Sequence, residues 1–257
     1  MSALSNYHTH STFCDGKDTP EELVLEAIRL GCPELGFSGH AHVSFDDHCM
    51  TPEGTELYKR EILRLKEKYC ERITVRLGVE QDFYSDLPTE DYEYVIGSVH
   101  YLPKDGQWLS VDESPAGFDR AVREHYAGDI YALCEDYYAH VARVYEKTRC
   151  TIVGHFDLVT KYNEGGQRFD TAHPRYRAAA LAALDRLCTA PVLFEINTGA
   201  IARGYRTGAY PEPWILEELA RRKAGLILSS DCHDKRFLLC ELERYRALPG
   251  VRERLFA

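Results

Sequence analysis

Seven short apolar runs in this 257-residue chain each end in a histidine or a carboxylate, and helical stretches separate most of them. The first runs into His8 and His10, and ELGFSGHAH runs into His40 and His42. RITVRLGVEQDF carries Glu80, YEYVIGSVHYL ends at His100 and CTIVGHFDL contains His155. APVLFEINTG carries Glu195 and Asn197, and GLILSSDCH ends at Asp231 and His233. Runs this short and rich in β-branched and aromatic residues read as strands. The helices between them show start and stop signals. EELVLEAIRLG follows Asp18 or Thr19, with Pro20 in its first turn and Gly31 past its end. Further helices are expected over about Glu53–Cys70, about Asp129–Thr148 and about Tyr176–Cys188, and in PEPWILEELARRKAG, with proline at its start and glycine after its end. KDGQWLSVDESPAGFDR reads as a long loop over the strand ends.

Alternating strands and helices, with strands as continuously apolar as TIVGHF, imply a parallel sheet covered by helices. An open sheet of this kind gathers its ligand at one crevice. A closed barrel instead brings every strand end to one mouth. Polar residues at the ends of seven strands therefore favour a barrel, with residues 1–257 as a single domain.

Composition narrows the partners. Hydrophobic residues at 44% and charged residues at 28% suit a water-soluble fold, and a net charge of −10 disfavours nucleic-acid and acidic membrane surfaces. The opening MSALSNYHTH lacks a basic segment followed by an apolar run, and no stretch resembles a membrane span, so a cytoplasmic location is expected. Nine cysteines without a C-x-x-C pair read as free thiols. Cys14 and Cys232 adjoin suspected ligands but read as small core filler.

On a strand, residues two apart share a face, so His8 and His10 aim two imidazoles at one point, to which Asp15 can return from the following loop. Burying this many titratable groups in one mouth is costly unless a cation offsets their desolvation. H-T-H with Asp15, His40, Glu80, His100, His155 and D-C-H resembles the polymerase and histidinol phosphatase (PHP) superfamily. GFSGHAHVSF, CMTPEGTELY, GSVHYL, GHFDLVTKYN and EINTGAIARG resemble its histidinol-phosphate phosphatase branch.

The resemblance implies an α/β fold: a distorted seven-stranded (β/α) TIM-like barrel with three divalent metal ions at the C-terminal ends of the strands. Carried over by position, His8, His10, Glu80 and Asp231 hold the first ion. Glu80, as a bridge, holds the second with His100 and His155, and Asp15, His40 and His233 hold the third. Many members have histidine at the Asp15 position, so a carboxylate there changes the affinity or metal preference of that site. Mixed imidazole and carboxylate ligands suit Zn, Fe or Mn better than Mg or Ca.

The implied activity is metal-dependent hydrolysis of the phosphomonoester L-histidinol phosphate, in histidine biosynthesis. Two close metals generate the attacking hydroxide, Glu80 bridges them and Asp231 steers the attack. Lys161 and Arg203 match phosphate contacts, with Arg206 the alternative to Arg203. His42, two residues past His40, is a candidate general acid and substrate contact. Glu195 and Asn197 are expected to hydrogen-bond ligands or substrate. His125, His140 and His173 read as structural, and His48 is left open. The competing functions are a PHP phosphoesterase or nuclease acting on nucleotides or another small ester, and a non-catalytic metal-binding barrel.

Overall fold

The computed structural model describes residues 4–256. Thr19 caps α1 (Pro20–Arg29): its side chain accepts from the Glu22 amide, and the Glu22 carboxylate accepts from the Thr19 amide. β1 (Glu34–Phe37) follows, then α2 (Pro52–Lys68), capped by Thr51 with Pro52 at its first position. β2 (Thr74–Asp82) and β3 (Tyr94–Ser98) come next.

The stretch after β3 departs from expectation. It is an antiparallel hairpin, β4 (Tyr101–Lys104) and β5 (Gln107–Ser110), followed by α3 (Pro115–His125). Asp105 and Gly106 both take positive φ, 51° and 76°, as the two-residue turn requires. Ser114 caps α3 and Pro115 opens it. Asp-Gly and Ser-Pro were therefore a turn and a helix start, where polar composition alone suggested a loop. The long helix expected to Thr148 is two helices, α4 (Ile130–Val141) and α5 (Val144–Thr148). No proline or glycine marks the break, so periodicity could not reveal it.

β6 (Ile152–Val153), α6 (Pro174–Leu187), β7 (Leu193–Asn197), α7 (Gly199–Ala202), α8 (Pro213–Arg221), β8 (Leu226–Ser229), α9 (Leu242–Tyr245) and β9 (Val251–Arg252) complete the chain. The main sheet runs β1-β2-β3-β6-β7-β8-β9, and all of its pairings are parallel. This is the curled parallel sheet with covering helices that the alternation implied. Its seventh member is β9, however, and not the N-terminal run. That run makes isolated bridges, Asn6 to Leu35 of β1 and Thr9 to Cys232 beyond β8. It thereby joins one edge of the sheet to the segment after β8 and closes the curl. The strand expected to reach His42 stops at Phe37, and a single bridge joins His40 to Glu80.

Tyr7, Tyr94, Ile96, Ile152, Leu193, Ile227 and Leu255 pack together as the floor of the interior. Gly36 and Gly78 make room for the Tyr94 side chain: a Cβ on Gly36 would lie 2.3 Å from its hydroxyl oxygen, and one on Gly78 2.3 Å from its ring. The Tyr94 hydroxyl donates to the carbonyls of Tyr7 and Phe37. The polar site lies directly above this floor. Among the described residues, no helix is long and apolar enough to cross a membrane.

Candidate metal centre

Inward-facing rows climb from the floor by two residues at a time. β3 and its extension present Tyr94, Ile96, Ser98 and His100; β2 presents Gly78, Glu80 and Asp82; β7 presents Leu193, Glu195 and Asn197. The N-terminal run is locked against the segment after β8: the His10 amide donates to Cys232 (2.8 Å) and the Cys232 amide to His8 (3.0 Å). That lock sets His8 and His10 beside Asp231. The Asp231 backbone is left-handed at φ 47°, a strained setting for a non-glycine residue and one typical of functional positions.

Glu80 sits at the centre. Its Oε2 lies 3.1 Å from His8 Nε2, 3.4 Å from His10 Nε2 and 3.0 Å from His40 Nδ1. Its Oε1 lies 2.9 Å from His155 Nε2 and 3.4 Å from His100 Nε2, and accepts from the Ser98 hydroxyl at 2.6 Å. Each carboxylate oxygen thus serves a different set of imidazoles. Burial pushes the Glu80 carboxyl up, but His8, His40 and His100 hold it well below the usual carboxylate range. Burial, aided by His233 and His40, pushes His10 down to about 3, so it presents a neutral imidazole.

Among the described residues, three groups have ligand atoms close enough to share an ion: His10, Asp15, His40 and His233; His8, His10 and Asp231; and His40, Glu80 and His100. The trio Asp15, His40 and His233 stays together as the resemblance implied, and His10 joins it. His155 lies outside these groups and reaches the cluster through Glu80 Oε1. His8 Nε2, His10 Nε2 and Glu80 Oε2 are buried, face one another and make no hydrogen bond. Buried imidazole nitrogens and carboxylate oxygens that converge without hydrogen-bonding one another are a donor set that suits a cation, so the residues fit a metal.

Surrounding groups fix which nitrogen faces inward. His8 Nδ1 lies 2.6 Å from Glu195 Oε1, which leaves Nε2 for the centre. Glu195 also accepts from the His155 amide (2.8 Å) and from Asn197 Nδ2 (2.9 Å). Glu195 therefore holds His8 and His155, and Asn197 holds Glu195. Asp82 does the same for His100, at 3.2 Å from its Nδ1. Asp82 was missed, although its position two residues past Glu80 was the signal.

Arg203 Nη2 donates to Asp231 Oδ2 at 2.8 Å and its Nη1 lies 3.0 Å from His233 Nδ1, so it borders the ligand cluster. Arg206 instead donates to the Thr160 hydroxyl and lies over the Tyr210 ring at 4.7 Å; none of its described contacts is to a ligand. Lys161 Nζ donates to Asp112 Oδ2 (3.0 Å) and to the Asp112 carbonyl (2.8 Å). Burial pushes Asp112, a second missed carboxylate, up, but Lys161 and His100 hold it well below the usual range. Only the folded chain reveals it, since Asp112 follows the hairpin that was read as loop.

The structure does not bring His42 into the ligand cluster: its described partners are the Met50 carbonyl, 3.1 Å from Nδ1, and Cys49. Burial pushes the Cys14 and Cys232 thiols up to about 12, as filler and not thiolate. His125 pairs with Asp105, His140 bonds the Asp136 carbonyl and His173 caps α6, all structural roles. His48 is exposed.

The PHP domain family model matches residues 6–199. A Bacillus subtilis histidinol-phosphatase is 28% identical over 88% of this chain and 92% of its own length. A Deinococcus radiodurans protein named "probable histidinol-phosphatase" is 32% identical over 91% of this chain and 87% of its own. Among solved structures, a Listeria monocytogenes chain assigned as a histidinol phosphatase has a TM-score of 0.83 at 20% identity, covering 94% of this chain and 99% of that one. A Lactococcus lactis histidinol phosphate phosphatase, in complex with zinc, L-histidinol and phosphate, has a TM-score of 0.70 at 21% identity, covering 96% and 92%. With the ligand set assembled and three-quarters of its length matched, the chain belongs to the PHP domain family.

Proposed function

We propose that this protein is a histidinol-phosphatase, hydrolysing L-histidinol phosphate to L-histidinol and phosphate in histidine biosynthesis. The carrying observation is Glu80, whose two oxygens serve separate sets of buried imidazoles. Relatives that align over nearly the whole chain and bear that name support the choice of ester.

His8, His10, Asp15, His40, Glu80, His100, His155, Asp231 and His233 would hold three divalent ions of the Zn, Fe or Mn type. Once bound, such ions supply an activated water at neutral pH and neutralise charge on the phosphoryl oxygens. The chain's own groups do the rest. Arg203, at the edge of the cluster, and Lys161, beside Asp112, bind the phosphoryl group electrostatically. Glu80 holds the two imidazole sets in register, and Asp231 orients the attacking water. His42, outside the ligand cluster with its Nδ1 held by the Met50 carbonyl, is the candidate general acid for the departing alkoxide.

The partner in this reading is a small phosphate ester, with neither nucleic acid nor membrane. All nine cysteines are unpaired, which supports a reducing cytoplasm. The test is phosphate release from L-histidinol phosphate by purified protein whose metals have been quantified. Turnover of that ester above other monoesters is expected. Brisk hydrolysis of other monoesters with none of this one would overturn the assignment.

A further inference from the structure

Seven tyrosines are the most deeply buried in the molecule: Tyr7, Tyr58, Tyr94, Tyr137, Tyr138, Tyr176 and Tyr210. Six have a bonded hydroxyl. Tyr7 donates to Glu34, Tyr58 to the Gly78 carbonyl, Tyr94 to the Tyr7 carbonyl, Tyr137 to the Phe156 carbonyl, and Tyr138 to Tyr176. The Tyr210 hydroxyl, at 0% exposure, has no hydrogen-bond partner among the described residues. Buried hydroxyls are rarely left so, because desolvation without a replacement bond is unfavourable.

Its position explains the exception. Tyr210 exchanges two backbone hydrogen bonds with Asn197, 2.8 and 2.9 Å, in an isolated antiparallel bridge. Directly paired antiparallel residues put their side chains on the same face, and Asn197 uses that face to bond Glu195. The Tyr210 ring therefore lies on the site side of β7, 6.5 Å from the His155 ring, with Arg206 stacked on it. Arg206, Arg203, Asp157 and Asp112 are the charges that act on it most strongly, and burial keeps it a protonated donor. The unpartnered O–H thus lies on the site side of β7, in the field of Arg206 and Arg203 and of the carboxylates Asp157 and Asp112.

We infer that Tyr210 is a phosphate-contacting residue, its hydroxyl donating a hydrogen bond to a phosphoryl oxygen of the ester held beside Arg203. The inference rests on the phosphatase reading, and names a substrate contact that the ligand motifs do not contain. It also accounts for the missing partner: the substrate supplies the acceptor.

The experiment uses the full, metal-loaded chain and Tyr210→Phe, which deletes only the hydroxyl and keeps the ring under Arg206. Metal content, Tm, the Kd of inorganic phosphate by calorimetry, and kcat and KM are read together. Expected are unchanged metal content, an unchanged or higher Tm, and roughly 10- to 100-fold weaker phosphate binding and lower kcat/KM, the range for a hydrogen bond to a charged group. Tyr137→Phe, which removes a bonded hydroxyl, should instead lower Tm and leave phosphate binding alone. Unchanged phosphate affinity in Tyr210→Phe overturns the inference. So does a fall in Tm with unchanged affinity, the mark of a hydroxyl that serves the fold through water, and so does loss of metal. Phosphate binding is read without turnover. Failure of the wild-type protein to hydrolyse L-histidinol phosphate would therefore refute the phosphatase reading while Tyr210 was still judged by its own measurement.

Discussion

The floor and the mouth of this barrel are built from the same inward rows and behave as opposites. On β3 the row runs from Tyr94 and Ile96 to Ser98 and His100; on β7 it runs from Leu193 to Glu195. One step of two residues, about 6.6 Å, turns apolar packing into a charged cluster. The floor is satisfied by itself: its rings interlock, and the Tyr94 hydroxyl is bonded twice. Among the described residues, the mouth keeps buried nitrogen and carboxylate oxygen atoms turned toward one another without a hydrogen bond. Stability is concentrated in the first region, and the second depends on what it binds.

Substitutions can separate the two. The largest effect belongs to Glu80→Ala, which removes the group serving both imidazole sets. Turnover should vanish and metal content should fall in elemental analysis, with normal activity breaking the bridging assignment. Tyr94→Ala is the counterpart in the floor, leaving the space that Gly36 and Gly78 provide. It should cost about 3–5 kcal/mol in denaturant unfolding, while the folded fraction retains its metal. Glu195→Gln should weaken metal affinity by about 10- to 100-fold in chelator competition, because His8 loses the carboxylate that orients it. A pure stability loss there would move Glu195 from the mouth to the floor. The smallest effect is expected of Arg203→Ala: about tenfold weaker phosphate inhibition with metal content intact. Metal loss in that variant would mean that Arg203 mainly supports Asp231, which it contacts at 2.8 Å.

Legibility followed the range of the interactions. Thr19 and Pro20 marked α1 because a cap is a local event. The hairpin was missed although Asp105-Gly106 is a local signal, since the polar residues around it were read as loop. The break between α4 and α5 left no residue mark at all. Asp82 could have been found from the two-residue period, and Asp112 could not, because its pairing with Lys161 spans 49 residues.

The sequence by itself determined a parallel, helix-covered sheet and the chemistry of its strand ends, because side-chain period and ligand type are local properties. Tertiary structure decided how those ends are shared. It split the oxygens of Glu80 between two sets, set Arg203 but not Arg206 beside the ligands, and left the Tyr210 hydroxyl unpaired. It also closed the barrel through isolated bridges such as Thr9–Cys232, secured by Asn6 bonding Ser230 across 224 residues. The reason is physical: a strand's period says which face a side chain takes, but the curl of the whole sheet sets which faces meet.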